Sequence, residues 1–428
     1  MTGELTTESQ EGSLSRKLLS LFLITYIFLY MFLVPAFGII PLYDYVITYG
    51  AQALNFVSIW VGKTLLSIPH EKLEMPNSEE GIINYVKLIS LVGLSLIISL
   101  TIFLFTKKQK NHTKLYSFVL LYARYFLGLT MLGYGFSKVY DGQFVAPGLH
   151  TLEEPFGNFS PIGVLWTFMG YSKTYAAFTG LFEIVGGFLL FFRRTTALGA
   201  LIIIGVMINV VMLNFCFDVT VKLFSCHLLL ISIFILSPDI KRLVDFFIFN
   251  KTSVLSVTKL ELPKKWMRVT RIIVKPAVIT GITALYIIPY YLGEDWGAPY
   301  KSINGTYRVT NFILNRDTLP PLTTDTVRWS KLLLETGAAK ITTMADSSSM
   351  YGFEIDSVHK TLKLISEADT TEKYSFIYEN KPDNYFSISG IFRSDTISVL
   401  FKKKTLLDYP LIKKKGFHWV NDQFDYQY

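Results

Sequence analysis

The chain has 428 residues, of which 51% are hydrophobic and only 17% are charged, and its mean hydropathy is +0.38. Soluble domains carry about 25% charged residues, so this much apolar sequence has to lie in a membrane. A soluble enzyme, a disordered tail and a fibrous protein are therefore excluded. Acidic and basic residues balance from Glu294 onward, so the net charge of +8 belongs to the first part of the chain. There it indicates membrane orientation rather than a nucleic-acid surface.

Seven apolar segments of about 20 residues are predicted to span the membrane as helices. They are residues 18–40, 84–106, 116–140, 173–192, 195–215, 217–237 and 271–293. The residues before the first span are acidic and lack a small-residue cleavage site, which predicts an uncleaved anchor. Two shorter segments, 51–68 and 243–258, are predicted to lie as interfacial helices on the outer and the cytoplasmic face.

The loops between the predicted spans alternate in charge. Lysine and arginine dominate the loops after spans two, four and six, whereas the loops 41–83 and 141–172 carry mostly aspartate and glutamate. Since cytoplasmic loops carry the basic excess, the N-terminus is predicted in the cytoplasm and the C-terminus outside. We therefore expect a multi-pass protein of the bacterial inner membrane with a periplasmic C-terminal domain.

The C-terminal region has a different pattern, in which apolar residues alternate with polar ones. The alternating residues are Tyr374, Phe376, Tyr378, Phe386, Ile388, Ile397, Val399 and Phe401, with a turn at residues 393–395. This period of two predicts antiparallel strands in a small β-rich domain. The predicted fold class is an α-helical membrane protein of about seven spans, containing a four-helix bundle, plus this extracytoplasmic domain. The predicted division is 1–115, 116–237, 238–293 and 294–428.

Ionisable residues inside the predicted spans are candidates for function because they are costly in lipid. Spans three to six carry seven polar candidates: Arg124, Lys138, Glu183, Asn209, Asp218, Lys222 and His227. In span three, Gly128, Met131 and Gly135 lie between the two cations at helical spacing, which predicts a small-residue face toward neighbouring helices.

Each candidate also has a structural interpretation. Arg124 could reach the inner headgroups or pair with Glu183, and Lys138 could be an interface anchor. His227 is more simply an interior histidine with its hydrogen bonds satisfied. A carboxylate at the mid-depth position of Glu183 must be protonated or paired. Asp218 and Lys222 can share a helix face, whereas Lys222 and His227 cannot both point at one centre.

Several motifs are missing from the sequence. It has no nucleotide-binding glycine loop, no zinc-protease motif and no acyl-transfer serine motif. Cys216 and Cys226 are too few for a disulfide framework or a zinc site. We therefore expect neither a bound metal nor a nucleic-acid partner.

The residues of spans three to six resemble those of the DoxX-like family of four-helix membrane proteins. The resemblance covers 116–237 and rests on Arg124, Gly135–Lys138, Glu183 with Gly186-Gly187, and Asn209 through His227-Leu228-Leu229. The extra spans and the ending Gly416–Asn421 resemble longer DoxX-like proteins of Bacteroidetes. A related family member is named as a subunit of a thiosulfate-oxidising quinol oxidase, so the resemblance implies a possible link to quinone.

Three hypotheses follow, and the sequence leaves open whether the protein is an enzyme. In the first, the protein is a non-catalytic scaffold whose outer domain binds a periplasmic protein, a glycan or a membrane redox partner. In the second, spans three to six enclose a quinone pocket. There Glu183, Lys222 and His227 are the catalytic candidates, while the ligand-binding candidates are Arg124, Lys138, Asn209 and Asp218. In the third, the seven spans line the path of a small-molecule transporter.

Overall fold

The computed structural model describes residues 4–33, 41–74, 81–106, 112–140, 142–252, most of 276–292, and 303–413. The chain divides into two compact units. The first contains Met1–Gln143 and Tyr175–Tyr290, and the second contains Phe144–Thr174 and Tyr291–Tyr428. Parts of the predictions for 243–258 and 271–293, and the whole ending 416–421, lie outside the described residues.

The first unit is helical, and two further helices lie in the loop that belongs to the second unit. In chain order the helices are α1 Glu4–Leu33, α2 Pro41–Thr64, α3 His70–Glu74, α4 Ile82–Phe105, α5 Thr113–Val139, α6 Leu149–Glu153, α7 Pro161–Tyr171, α8 Lys173–Leu190, α9 Thr196–Cys216, α10 Lys222–Leu236, α11 Ile240–Phe247, α12 Ile279–Leu292 and α13 Pro410–Lys413. Helices α6 and α7 lie in the loop of the second unit, and α13 follows the last strand of that unit.

Four predicted spans are confirmed as helices that are long and apolar enough to cross a membrane: α1 over Leu14–Leu33, α4, α5 and α9. Helices α10 and α11 would together make a fifth, with a bend of 75° between them. Helix α8 coincides with the predicted span at 173–192 and has 18 residues. The total of seven crossings stays a prediction.

The helix predicted at 51–68 has different bounds in the structure. It is α2, which begins ten positions earlier at Pro41 and ends at Thr64. Proline suits the first turn of a helix because its missing N–H would have no partner there. Pro69 disfavours the helical conformation at the preceding residue, so the helix ends shortly before it.

Paired glycines bring α5 and α8 into backbone contact. A Cβ atom placed on Gly180 would lie 2.6 Å from the carbonyl oxygen of Gly135, and one on Gly187 would lie 2.8 Å from that of Gly128. In each helix the two glycines are seven residues apart, so the helices pack in antiparallel directions through one face. The small-residue face predicted for span three is confirmed.

The core of the first unit joins side chains from α1, α4, α5, α8, α9 and α10. Leu127, Met131, Leu190, Ile203 and Ile231 are among its fully or almost fully buried members. Large apolar side chains also cover the outside, as on α4, where Phe105 is 87% exposed. An apolar exterior around an apolar core is expected of helices whose solvent is lipid.

The second unit contains an antiparallel barrel. Its strands are β1 Gly305–Leu314, β2 Asp317–Thr318, β3 Trp329–Glu335, β4 Ala338–Thr343, β5 Ser348–Asp356, β6 Thr361–Ser366, β7 Lys373–Lys381, β8 Tyr385–Phe392 and β9 Asp395–Lys404. Neighbouring strands in the chain pair in sequence from β3 to β9, and β1 pairs with both β3 and β9. Eight strands therefore close on themselves, and the two-residue β2 extends a hairpin from β1.

The predicted strand region is confirmed as β7, β8 and β9, with Arg393 in the left-handed conformation at the turn between β8 and β9. The barrel interior is filled by side chains. Its largest fully buried members are Tyr307, Phe312, Trp329, Phe376, Phe386 and Phe401. An eight-stranded barrel has an interior just wide enough for side chains to fill, which agrees with this aromatic core.

Candidate functional site

The mid-span carboxylate has a buried cationic partner. Lys138, near the end of α5, forms an ion pair with Glu183 of α8, and their side chains are only 8% and 3% exposed. The contact of Gly135 with Gly180 allows the pair to form, because it brings the two helices together one turn from Lys138 and Glu183. The interpretation of Lys138 as an interface anchor is therefore wrong. The second carboxylate oxygen, Oε2, is buried and has no hydrogen-bond partner among the described residues.

Arg124 binds the end of α8 and not Glu183. Its Nε and Nη2 atoms donate hydrogen bonds to the carbonyl oxygen of Leu190, at 3.0 and 2.7 Å. Leu190 is the last residue of α8, where carbonyl oxygens lack helical partners and a nearby cation is stabilising. Arg124 is buried and binds the end of α8, so its predicted pairing with Glu183 is wrong, whereas its reach to the headgroups stays a prediction.

His227 is an interior histidine with both ring nitrogens hydrogen-bonded. Nδ1 lies 2.6 Å from the carbonyl oxygen of Leu223, which can only accept, so Nδ1 carries the proton. Nε2 forms a second hydrogen bond, with the Tyr26 hydroxyl, at 2.6 Å. The Tyr30 ring stacks on the imidazole with centroids 3.7 Å apart and planes within 5°. Tyr26 and Tyr30 of α1 complete a cluster around this imidazole that sequence reasoning missed.

We expect Tyr26→Phe to destabilise the helical unit by about 1 kcal/mol, because it removes the hydrogen-bond partner of the buried Nε2 while keeping the ring. Thermal unfolding of the purified protein in detergent would measure the loss. Tyr85→Phe, at an exposed position of α4, is the matched control and should unfold like the unmodified chain. Equal unfolding temperatures for the two variants would contradict the assigned hydrogen bond.

The remaining candidates lie apart from these contacts. Lys222 forms an ion pair with Asp218 at 2.8 Å, as their spacing predicted, and the Asp218 side chain is 79% exposed. Asn209 is exposed on α9, and its role as a ligand-binding residue stays a prediction. Lys222 and His227 contact different partners, in agreement with the prediction that they do not share a centre.

Among the residues that the structure describes, no group of three or more His, Cys, Asp or Glu side chains comes close enough together to hold a metal ion. Both cysteines are free thiols.

The second unit has its own polar cluster, which joins the loop 144–174 to the barrel. Glu153, at the end of α6, accepts hydrogen bonds from Lys331 of β3 at 2.8 Å and from the Tyr409 hydroxyl at 2.5 Å. Glu335 of β3 accepts from the backbone N–H groups of Leu149 and His150, at 2.8 and 3.1 Å. An apolar contact supports these bonds, and its members are Leu149, Leu152, Leu333, Tyr409 and Ile412. We call this contact of α6 with the barrel the α6 latch.

Two titratable groups make the α6 latch sensitive to acid. Burial raises the pKa of Glu153, but hydrogen bonds from Lys331 and Tyr409 and the charge of Arg308 outweigh it, so this pKa lies below its ordinary value. A carboxylate with a lowered pKa stabilises the fold above its ordinary pKa of about 4.5 and loses this effect as the pH falls through the folded value. Burial lowers the pKa of His150 below its ordinary value of 6.5, so the folded latch disfavours the protonated imidazole. Acid that protonates His150 therefore also destabilises the latch.

We therefore expect amide exchange in residues 149–153 to rise as the pH falls, with the largest change below about 4.5. Hydrogen exchange measured by mass spectrometry on the full chain, corrected for intrinsic rates, would show this change. Glu153→Gln should exchange faster than the unmodified chain at neutral pH and should lack the change at low pH. A flat, protected profile for the unmodified chain would contradict the assignment.

The segment that holds the buried charges of α5 and α8 is similar to known proteins. The DoxX family model matches residues 119–216. The uncharacterized protein YwoB of Bacillus subtilis (strain 168) is 36% identical over 124 residues, which are 29% of this chain and 79% of that relative. No solved structure matches the chain significantly. Arg124, Lys138 and Glu183 all lie within the matched residues.

Proposed function

Because the chain belongs to the DoxX family, we propose that it is a membrane scaffold whose helices hold an interaction module, the second unit, at one face of the membrane. The observation that carries this proposal is the use of the buried charges. Lys138 contacts Glu183, and Arg124 contacts the carbonyl of Leu190, so each cation joins α5 to α8. Packing between the two helices is enough to account for these buried cations, and no bound substrate is needed to explain them.

The proposed sidedness follows from connectivity. Residues 144–174 and the barrel belong to one unit, so they have to lie on the same side of the membrane. If α8, α9 and α10 cross once each, the chain needs a fourth crossing before the barrel, which the predicted span at 271–293 would supply. The basic stretch between α10 and that span then faces the cytoplasm. We propose that the membrane is the bacterial inner membrane, with the N-terminus cytoplasmic and the barrel periplasmic.

The partner of a scaffold should be found at the second unit. Brief treatment of whole cells of the native organism with an amine-reactive crosslinker, followed by purification of the tagged full chain, would identify it. We expect one protein to be joined repeatedly to the exposed barrel lysines Lys363, Lys373 and Lys402, and not to the exposed Lys241 of α11. Absorbance and mass spectra of the same sample should show no stoichiometric small molecule. A sample with one quinone per chain and no crosslinked protein would overturn the proposal.

A second candidate, a quinone-linked redox component, is favoured by one observation. Glu183 Oε2 is buried without a partner among the described residues, so a proton or a ligand atom could satisfy it. In this alternative Glu183 exchanges protons and Lys138 stabilises a developing anion. Glu183→Gln should then abolish quinone binding or turnover in purified membranes. A Glu183→Gln variant that keeps every redox-linked phenotype would exclude this alternative.

A further inference from the structure

The chain bends sharply at the end of the α10 span. Helices α10 and α11 differ in direction by 75°, and the break between them holds an ion pair of Arg242 with Asp239 at 2.7 Å. Leu243 of α11 packs against the core of the helical unit, so one side of the short helix is fixed. If α10 crosses the bilayer, a helix at this angle to it runs close to the membrane plane.

Four consecutive large apolar side chains follow on the outside of this bend. Phe246, Phe247, Ile248 and Phe249 are 55%, 68%, 68% and 59% exposed. Contiguous exposed apolar residues of this size are disfavoured in water and typically mark a surface that binds another apolar phase. We call these four residues the FFIF segment.

Cations flank the FFIF segment on both sides. Lys241 is exposed and precedes the segment by more than one helical turn. Lys251 follows the segment, and its Nζ lies 5.4 Å from the centre of the Phe249 ring. Asn250 takes the left-handed conformation, and the N–H of Lys251 reaches the carbonyl of Asp245 at 2.9 Å, which ends the helix with a defined geometry. The aromatic residues and the ammonium groups are thus held next to each other by ordered backbone.

We propose that the FFIF segment inserts into the leaflet in which α10 ends, and that Lys241 and Lys251 bind the headgroups of anionic phospholipids there. Lipid is the expected occupant because the segment follows directly on α10, which is apolar and is predicted to cross the bilayer. Helices that lie in the membrane plane bury an apolar face of residues such as Phe and Leu at the boundary between headgroups and acyl chains. Basic residues near an anionic surface are attracted to it, which makes the insertion depend on lipid charge.

Fluorescence quenching tests the insertion in the full chain. A single Phe247→Cys is introduced after Cys216→Ser and Cys226→Ser, labelled with an environment-sensitive nitrobenzoxadiazole dye, and reconstituted in vesicles that contain brominated phosphatidylcholine. Val358→Cys, at a barrel turn with 86% exposure, is the matched control. We expect the dye at position 247 to be quenched several-fold more strongly than the dye at 358. Equal quenching at the two positions would overturn the insertion.

The binding of anionic headgroups by Lys241 and Lys251 is tested separately. Quenching at position 247 should increase when phosphatidylglycerol replaces part of the phosphatidylcholine, and Lys241→Gln with Lys251→Gln should remove this increase. Thr252→Gln, at an exposed neighbouring position, should leave it unchanged. An increase that persists without the two lysines would overturn the role assigned to them.

Discussion

Gly180→Ala is expected to destabilise the helical unit by about 1–3 kcal/mol, the range found when a methyl group is forced into a packed interior. The added Cβ would lie 2.6 Å from the carbonyl oxygen of Gly135 and 2.9 Å from Cβ of Lys138. Neither atom is at the end of a flexible side chain, so α5 and α8 have to move apart. The separation would also loosen the ion pair of Lys138 with Glu183.

Thermal unfolding in detergent, followed by circular dichroism, measures this effect. Gly205→Ala on α9 is the matched control, because a Cβ at Gly205 meets no atom within 4 Å. Alanine favours a helix over glycine by up to about 1 kcal/mol, so the control should unfold at the same or a higher temperature. If both variants unfold alike, the glycine contact between α5 and α8 does not limit stability.

The long apolar helices and some of the strands could be predicted because their signals are local. Helix α9 has no charged residue over its length, so its sequence alone predicts a membrane span. The alternation of Phe386 and Ile388 with polar neighbours likewise predicts β8. The closure of the barrel could not be predicted, because the pairing of Thr306 with Lys404 joins residues at opposite ends of the domain. No local pattern encodes which edges meet.

The partners of the buried polar groups could not be predicted for the same reason. Both Arg124 and Lys138 lie on α5, and the sequence does not tell which of them meets Glu183. The choice depends on how far α8 is shifted along α5, which the contact of Gly135 with Gly180 sets. Similarly, the α6 latch joins Glu153 to Tyr409. The sequence of the loop 141–172 predicts only an acidic connection between two spans.

Removing either partner of the ion pair of Lys138 with Glu183 is expected to have the largest effect of any single change. Lys138→Met or Glu183→Met leaves an unpaired charge in a buried position, which costs about 3–5 kcal/mol. Changing both residues to methionine fills a similar volume with apolar atoms and removes both charges. The double variant should therefore be more stable than either single variant.

This double-mutant cycle also separates the two candidate functions, and unfolding in detergent together with the crosslinking assay provides the readouts. Asp218→Asn is the control, because the Asp218 side chain is 79% exposed and losing such a solvent-exposed carboxylate should change stability by no more than about 1 kcal/mol. For a scaffold, the double variant regains both the fold and the crosslinked partner, since the charges serve packing alone. For a quinone-linked component, it regains the fold but not the function, since Glu183 is needed to exchange protons. A double variant as unstable as the single ones would show that the two charges do not act as a pair.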